Sequence, residues 1–225
     1  MNVQVFADAK VLARAAAEWT AQACREAIAA RGVCHLVLAG GSSPKLCYEA
    51  LCELDMDWSR VHIWFGDERC VPMGHTDRND RMADEALLSH VSIPASQIHR
   101  MQAELGPVEG AARYADALVS VGPMDVLHLG MGEDGHTCSL FPGKDSLTDD
   151  RLAFGVTDSP KPPPERVTLG YPVLNKARAS LILAAGKGKQ EALARIKGGE
   201  NLPVARVKGA IWFIDIDAAG ALFQA

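Results

Sequence analysis

The stretch Val33-Cys34-His35-Leu36-Val37-Leu38-Ala39-Gly40-Gly41-Ser42-Ser43-Pro44 decides the fold of this chain. Residues 33–39 form a short, mostly apolar run without strict alternation, which is typical of a strand buried on both faces of a parallel sheet. Residues 40–44 have the composition of a tight turn that leads into a helix. The predicted order is strand, turn and helix, the repeating unit of an α/β protein.

The same order recurs on both sides of this unit. Before it, Asp8 can cap a long Ala-rich helix that runs to Arg31 and ends at Gly32. Further strands fit residues 61–65, 126–129, 167–169, 181–184 and 210–216, and helices fit residues 80–89, 108–121 and 187–197. This alternation predicts one α/β domain over residues 1–225, with a mostly parallel sheet covered by helices on both faces in a doubly wound, Rossmann-like architecture. Ligands of such sheets bind at the carboxyl ends of the strands.

Composition argues against several classes of protein. The 23 basic and 28 acidic side chains give a net charge of −5, which leaves no excess of Lys and Arg to neutralise a nucleic-acid backbone. The apolar runs are too short to span a bilayer, and the N-terminus lacks a secretion signal. The six cysteines show no C-x-x-C spacing and are expected to be reduced thiols. We therefore expect a cytoplasmic protein, a monomer or small homo-oligomer, without nucleic-acid or membrane partners.

The turn at residues 40–44 is a candidate anion cradle. Gly40 and Gly41 let the backbone approach a ligand, and Ser42 and Ser43 add hydroxyl groups. With Ser43 as the N-cap and Pro44 at the first helical position, free N–H groups and the helix dipole point above the strand. An ordinary tight turn is the alternative interpretation.

Cations on two later loops could complete the cradle. Lys161 and Arg166 flank the proline-rich stretch 159–165, which we expect to be an ordered polyproline II loop, and Lys189 follows the strand at residues 181–184. Arg binds phosphate through a planar fork, and Lys supplies a point charge. A solvated surface is the alternative.

Polar side chains also follow the strand at residues 61–65. Asp67, Glu68 and Arg69 come directly after it and form either a solvated salt-bridge cluster or part of a site. Asn79 is a further substrate-site candidate, or the cap of the next helix.

The glycine-rich loop at residues 130–136 offers an acid–base pair. Its G-x-G-x-x-G spacing is that of a dinucleotide fingerprint, but two carboxylates within the loop would repel a pyrophosphate. In addition, the Pro142-Gly143 pair leaves no room for the long helix that the fingerprint requires. Asp134 could instead orient His136 to take a proton from water, although a lone His is often structural.

Metal binding is poorly supported by the sequence. The remaining histidines are scattered, and the His136-x-Cys138 pair lacks further ligands at a recognisable spacing.

These segments together resemble the glucosamine-6-phosphate isomerase/6-phosphogluconolactonase family, within it the lactonase branch. Residues 39–44 are similar to its S-G-G-S-T-P loop, residues 66–69 match its G-D-E-R, and residues 134–142 are similar to its D-G-H-T-A-S-L-F-P. Residues 159–163 and 166–169 resemble its S-P-K-P-P and R-V-T-L segment, and Gly186 with Lys189 its G-x-x-K. The resemblance covers nearly the whole chain; Ala39 and Cys138 are among its departures.

The resemblance implies hydrolysis of 6-phospho-D-glucono-1,5-lactone, with no metal or organic cofactor. By position, the 6-phosphate would be held by Gly41, Ser42, Ser43, Arg166 and Lys189, and His136 would be the acid/base. The oxyanion that forms on the lactone could be bound by Arg69 or by backbone N–H groups of residues 130–135. The isomerase branch adds a Glu in D-G-H-x-x-x-x-E, where this chain has Phe141. The alternatives are a deaminating isomerase of that branch and a non-catalytic sugar-phosphate sensor on the same fold.

Overall fold

The central layer of the computed structural model, which describes residues 1–223, is a sheet of six parallel strands. In chain order, the strands of the described residues are β1 (Asn2–Phe6), β2 (Cys34–Leu38), β3 (Val61–Phe65), β4 (Asp67–Arg69), β5 (Val126–Gly130), β6 (Ala153–Val156), β7 (Arg166–Leu169), β8 (Ala179–Ala184) and β9 (Ile211–Asp215). The parallel sheet has the order β1-β9-β8-β5-β2-β3. The predicted α/β class with a parallel sheet is confirmed.

Helices flank this sheet. In the same residues they are α1 (Ala9–Arg31), α2 (Ser42–Leu51), α3 (Asn79–Ala83), α4 (Pro107–Val119), α5 (Tyr171–Leu174), α6 (Gln190–Lys197) and α7 (Ile216–Ala219). A π-helical turn, Asp84–Leu88, extends α3, and a 3₁₀ turn, Lys187–Lys189, precedes α6. The predicted ends of α1 are confirmed, because the Asp8 carboxylate accepts two backbone N–H groups and Gly32 adopts a left-handed conformation.

A second, antiparallel sheet of order β4-β7-β6 was not predicted. Residues 66–69 were expected as a loop, and this prediction was wrong for residues 67–69, which form β4. Residues 167–169 are a strand, as predicted, but they pair in the antiparallel sheet and not in the parallel one. All four residues of β7 are buried, as in a strand of a parallel sheet, so the local sequence could not distinguish antiparallel from parallel pairing. The pairing places Asp67 opposite Thr168 and Arg69 opposite Arg166, and so brings two of the predicted polar segments together.

Two turns also differ from their predicted forms. Helix α2 begins at Ser42, with Gly41 as the N-cap, so Ser43 and Pro44 lie inside its first turn. The proline-rich loop bends instead of forming a polyproline II segment, and its Pro162–Pro163 peptide bond is cis.

The chain leaves the neighbouring strands β2 and β5 toward opposite edges of the parallel sheet. From β2 the chain continues to β3 at one edge of the sheet, whereas from β5 it continues through β8 to β9 toward the other. Doubly wound sheets bind ligands in the crevice that opens at the carboxyl ends of two such strands. Here the loops that follow β2 and β5 flank that crevice.

The six cysteines are free thiols, as expected. None of the helices within residues 1–223 has the length and hydrophobicity needed to cross a membrane.

Candidate active site

A cleft of about 340 Å³ occupies this crevice. Its lining comes from the loops after β2, β5 and β8, together with the antiparallel sheet and the proline-rich loop: Ala39, Gly40, Gly41, Ser42, Ser43, Pro44, Asp67, Arg69, Asn79, Gly130, Met131, Gly132, Glu133, His136, Cys138, Lys161, Arg166, Leu183 and Lys189. The structure therefore brings together every predicted site residue except Asp134 and Glu68.

The turn after β2 has the geometry of an anion cradle. Gly41 has a φ of 108°, which an L side chain rarely adopts, and a Cβ on Gly40 would lie 2.0 Å from Oδ1 of Asn79. The backbone N–H groups of residues 41–43 find no acceptor among the described residues. Because these donors lie at the positive end of α2, they are placed to bind a negatively charged group.

Arg166 anchors the proline-rich loop and also lines the cleft. Its Nε donates to the carbonyl of Pro163 at 2.9 Å, and its Nη2 donates to the carbonyls of Lys161 and Pro162 at 3.0 and 3.2 Å. Its Nη1 lies 3.9 Å from the nearer carboxylate oxygen of Asp67. With Nε and Nη2 engaged, Nη1 is the nitrogen left for an anion, so the two-pronged contact expected from the sequence reduces to one nitrogen.

Three further cations face the cleft. Lys161 and Lys189 form no ion pair within residues 1–223, and partial burial lowers the pKa of Lys189 although the Glu133 carboxylate opposes this shift. Arg69 donates through Nη1 to the carbonyl of Asp77, while its buried Nε has no acceptor in that part of the chain. The residue also lines the cleft, so its guanidinium adds positive charge to the site.

His136 and Asp134 form a hydrogen-bonded pair at the end of β5. The Nδ1 atom of His136 lies 2.5 Å from Oδ1 of Asp134, which also accepts the backbone N–H of His136 at 3.2 Å. Partial burial disfavours ionisation of Asp134, but the hydrogen bond and positive charge of His136 outweigh it and lower the pKa of Asp134 to about 2. Asp134 is thus a permanent carboxylate that fixes the imidazole, and Nε2 is the ring nitrogen left for the cleft.

Gly132 makes room for this pair. A Cβ on Gly132 would lie 2.0 Å from Nδ1 of His136 and 2.6 Å from Oδ1 of Asp134. The Gly132 N–H also donates to the carbonyl of His136 at 2.8 Å, which closes the loop. Two turns, at residues 138–139 and 142–143, follow Gly135 where a dinucleotide site needs a long helix. The glycine spacing therefore serves the His–Asp pair, as the sequence indicated.

Asp67 is buried in the wall of the cleft with both carboxylate oxygens engaged. Oδ2 accepts the hydroxyl of Ser139 at 2.7 Å, and Oδ1 accepts Nδ2 of Asn79 at 3.1 Å. These bonds join the antiparallel sheet to the loop that carries His136. Asp67 and Asn79 thus shape the site, and these hydrogen bonds hold the Asp67 carboxylate in the cleft wall.

The structure does not bring Glu68 to the cleft. Its buried carboxylate accepts the backbone N–H groups of Arg69, Asn79 and Asp80 at 2.8 to 2.9 Å. Burial, followed by the nearby Asp80 carboxylate, raises the pKa of Glu68 to about 7 against these hydrogen bonds. Glu68 therefore caps the start of α3 and lies outside the cleft lining, unlike the other polar residues of this segment.

Sequence reasoning missed several residues around the site. Glu133 lies in the cleft beside Lys189, and Ser139 bonds to Asp67. Arg78, buried to 1% exposure, donates to Asp80 and Glu104 and to the carbonyl of Met101. The adjacency of Glu133 to Asp134 was the available signal for the first. No local pattern marks Arg78, because Glu104 and Met101 are distant in sequence.

The fold and the cleft define an α/β protein of the doubly wound class whose site combines an anion cradle, converging cations and a His–Asp pair. Residues 7–213 match the family described as glucosamine-6-phosphate isomerases/6-phosphogluconolactonase, and the chain belongs to this family.

Relatives and solved structures agree with this assignment. The chain is 38% identical to the 6-phosphogluconolactonase of Mycobacterium tuberculosis over 98% of each chain. It is also 38% identical to that of Synechocystis, over 90% of this chain and 87% of the relative. The crystal structure of the Thermotoga maritima 6-phosphogluconolactonase superposes with a TM-score of 0.88 at 30% identity, covering 95% of this chain and 98% of that one.

Proposed function

We propose that this chain hydrolyses 6-phospho-D-glucono-1,5-lactone to 6-phosphogluconate in the oxidative pentose phosphate pathway. The observation that carries the proposal is that His136, held by Asp134, lines the same cleft as the N–H donors at the start of α2. The names of the relatives support the same reaction. We propose further that residues 1–225 act as one cytoplasmic lactonase domain, monomeric or a small homo-oligomer, on this small phosphosugar, without nucleic acid or membrane.

The phosphate of the substrate would occupy the cradle. Its oxygens would accept the N–H groups of residues 41–43 and the hydroxyls of Ser42 and Ser43, and Nη1 of Arg166 and the Lys189 ammonium would neutralise its charge. Anchoring the phosphate fixes the sugar ring, so the lactone carbonyl can lie over the His136 side of the cleft.

His136 then acts as base and acid in turn. Nε2 takes a proton from water while the water oxygen bonds to C1, and the carbonyl oxygen becomes an oxyanion. When the bond between C1 and the ring oxygen breaks, the imidazolium returns the proton to that oxygen, which leaves as the C5 hydroxyl. Asp134 holds the ring and stabilises the imidazolium, and Arg69, which lines the cleft, is a cation available to stabilise the oxyanion.

One observation favours hydrolysis over the isomerase alternative. At the position where the isomerase branch carries a Glu, the buried Phe141 ring lies 4.7 Å, centroid to centroid, from the His136 imidazole. A phenyl ring cannot relay protons for ring opening or for transfer between C1 and C2, whereas lactone hydrolysis needs only the imidazole and water.

Two assays on one preparation test the proposal. We expect rapid hydrolysis of freshly made 6-phosphogluconolactone above its spontaneous rate, and no release of ammonia from glucosamine 6-phosphate. Ammonia release with no lactone hydrolysis would establish the isomerase alternative. Binding of both sugar phosphates without turnover would establish the sensor alternative.

We also expect catalysis without a metal ion. Among residues 1–223, no three His, Cys, Asp or Glu side chains converge in an arrangement that could hold one, and a general base suffices for lactone hydrolysis. Lactonase activity should survive exhaustive dialysis against EDTA. Activity that is lost on dialysis and restored by zinc or magnesium would contradict this expectation.

A further inference from the structure

Tyr48 forms two hydrogen bonds to the backbone directly before the anion cradle. It lies on α2 and is fully buried. Its hydroxyl accepts the N–H of Ala39 at 2.7 Å and donates to the carbonyl of the same residue at 3.0 Å. Burial raises the pKa of Tyr48 well above its usual value, so the hydroxyl keeps the proton with which it donates.

The two hydrogen bonds from Tyr48 replace the strand pairing of β2, which ends just before Ala39. The ladder between β2 and β3 stops at Leu38, and the ladder between β2 and β5 stops at Val37. Ala39 is itself only 7% exposed, so its peptide groups need partners inside the protein. Tyr48 supplies both of them.

The two residues between Ala39 and α2 are Gly40 and Gly41, whose backbones are the most conformationally free of any residue type. Tyr48 lies on the same helix whose first turn presents the N–H groups of the cradle. Its two bonds to Ala39 therefore close a loop that sets the distance and angle between the end of β2 and the start of α2. Without them, the glycines would let the donors point in many directions.

We propose that Tyr48 is a positioning residue that holds the anion cradle in its phosphate-binding conformation. This inference rests on the proposed function, since it assigns the cradle to the phosphate of the substrate. The Tyr48 ring is itself fixed by His128, which stacks on it at 5.7 Å with an interplanar angle of 6° and lies 2.7 Å from the Thr20 hydroxyl. Removing only the hydroxyl leaves this packing in place.

The chain offers a matched control at the neighbouring strand end. Tyr114 on α4 is also buried, and its hydroxyl accepts the N–H of Phe65 at 2.8 Å and donates to the carbonyl of Phe65 at 3.1 Å. The Tyr114→Phe variant thus loses the same pair of buried hydrogen bonds, but at the end of β3, which leads to Asp67 instead of the cradle.

The test compares Tyr48→Phe with Tyr114→Phe by titration calorimetry with inorganic phosphate and by urea denaturation. Both variants should lose stability to a similar extent. Only Tyr48→Phe should bind phosphate more weakly. We expect its dissociation constant to rise about tenfold, the change in binding that corresponds to the loss of one to two hydrogen bonds that hold the cradle in place. It should also raise KM for the lactone more than it lowers kcat, and speed amide exchange at residues 40–43.

Unchanged phosphate affinity in Tyr48→Phe would overturn the proposal, and so would an equal loss in both variants, since that would show a general structural role. A native protein that binds no phosphate would overturn it too, while the lactone assay reports separately on the proposed function. If Tyr48→Phe does not fold, the proposal is tested by amide exchange of Ala39 in the native protein. Slow exchange supports the hydrogen bond from the Ala39 N–H to Tyr48, and exchange as fast as that of an unbonded amide contradicts it.

Discussion

The His136→Gln variant is expected to lose about two to four orders of magnitude in kcat, the usual contribution of a general base. Gln keeps a polar side chain of similar size, but its amide cannot take a proton from water. The phosphate cradle lies on another loop, so the inhibition constant of inorganic phosphate should stay near that of the native protein. The measurement is kcat for lactone hydrolysis above the spontaneous background, with phosphate as a competitor.

The Asp134→Asn variant tests whether Asp134 orients His136 and stabilises its protonated form. Because the pKa of Asp134 is about 2, its carboxylate is present throughout the range in which the lactone can be assayed. In Asp134→Asn, kcat should drop because the amide holds the His136 ring less well and no longer stabilises the imidazolium that forms during the reaction. Near-native kcat in a folded His136→Gln protein would refute the mechanism.

The second large effect is expected from Arg166→Ala. This variant removes the Nη1 donor of the phosphate site and also releases the carbonyls of Lys161, Pro162 and Pro163. A hydrogen bond to a charged group contributes about 1.5 to 3 kcal/mol, so KM for the lactone should rise about 10- to 100-fold. Inorganic phosphate should compete correspondingly less well.

Two variants separate charge from loop anchoring. Lys189→Ala removes a cleft cation that holds no carbonyl of the proline-rich loop, and it should raise KM while leaving that loop in place. Arg113→Ala removes a surface Arg paired with Glu109 and should change neither KM nor phosphate inhibition. An unchanged KM in both Arg166→Ala and Lys189→Ala would remove these two residues from the phosphate site.

Local patterns in the sequence determined the parts of the fold that depend on neighbouring residues. The continuous apolar run before Gly40 predicted a buried parallel strand, and Asp8 and Gly32 marked both ends of α1. The glycines around His136 and Asp134 predicted a loop that presents this pair at a strand end. Hydrophobic period, capping and turn chemistry act over a few residues, so one sequence suffices to see them.

Only the tertiary structure decided which polar groups face the cleft. Asp67 and Glu68 are adjacent in sequence, but strand alternation sends the first to the cleft wall and the second beneath α3. The antiparallel pairing of β4 with β7 brings Arg69 next to Arg166, and Tyr48 reaches back to Ala39 across the first turns of α2. Such contacts depend on strand pairing and helix placement, which are set by burial summed over the whole chain, so no local pattern records them.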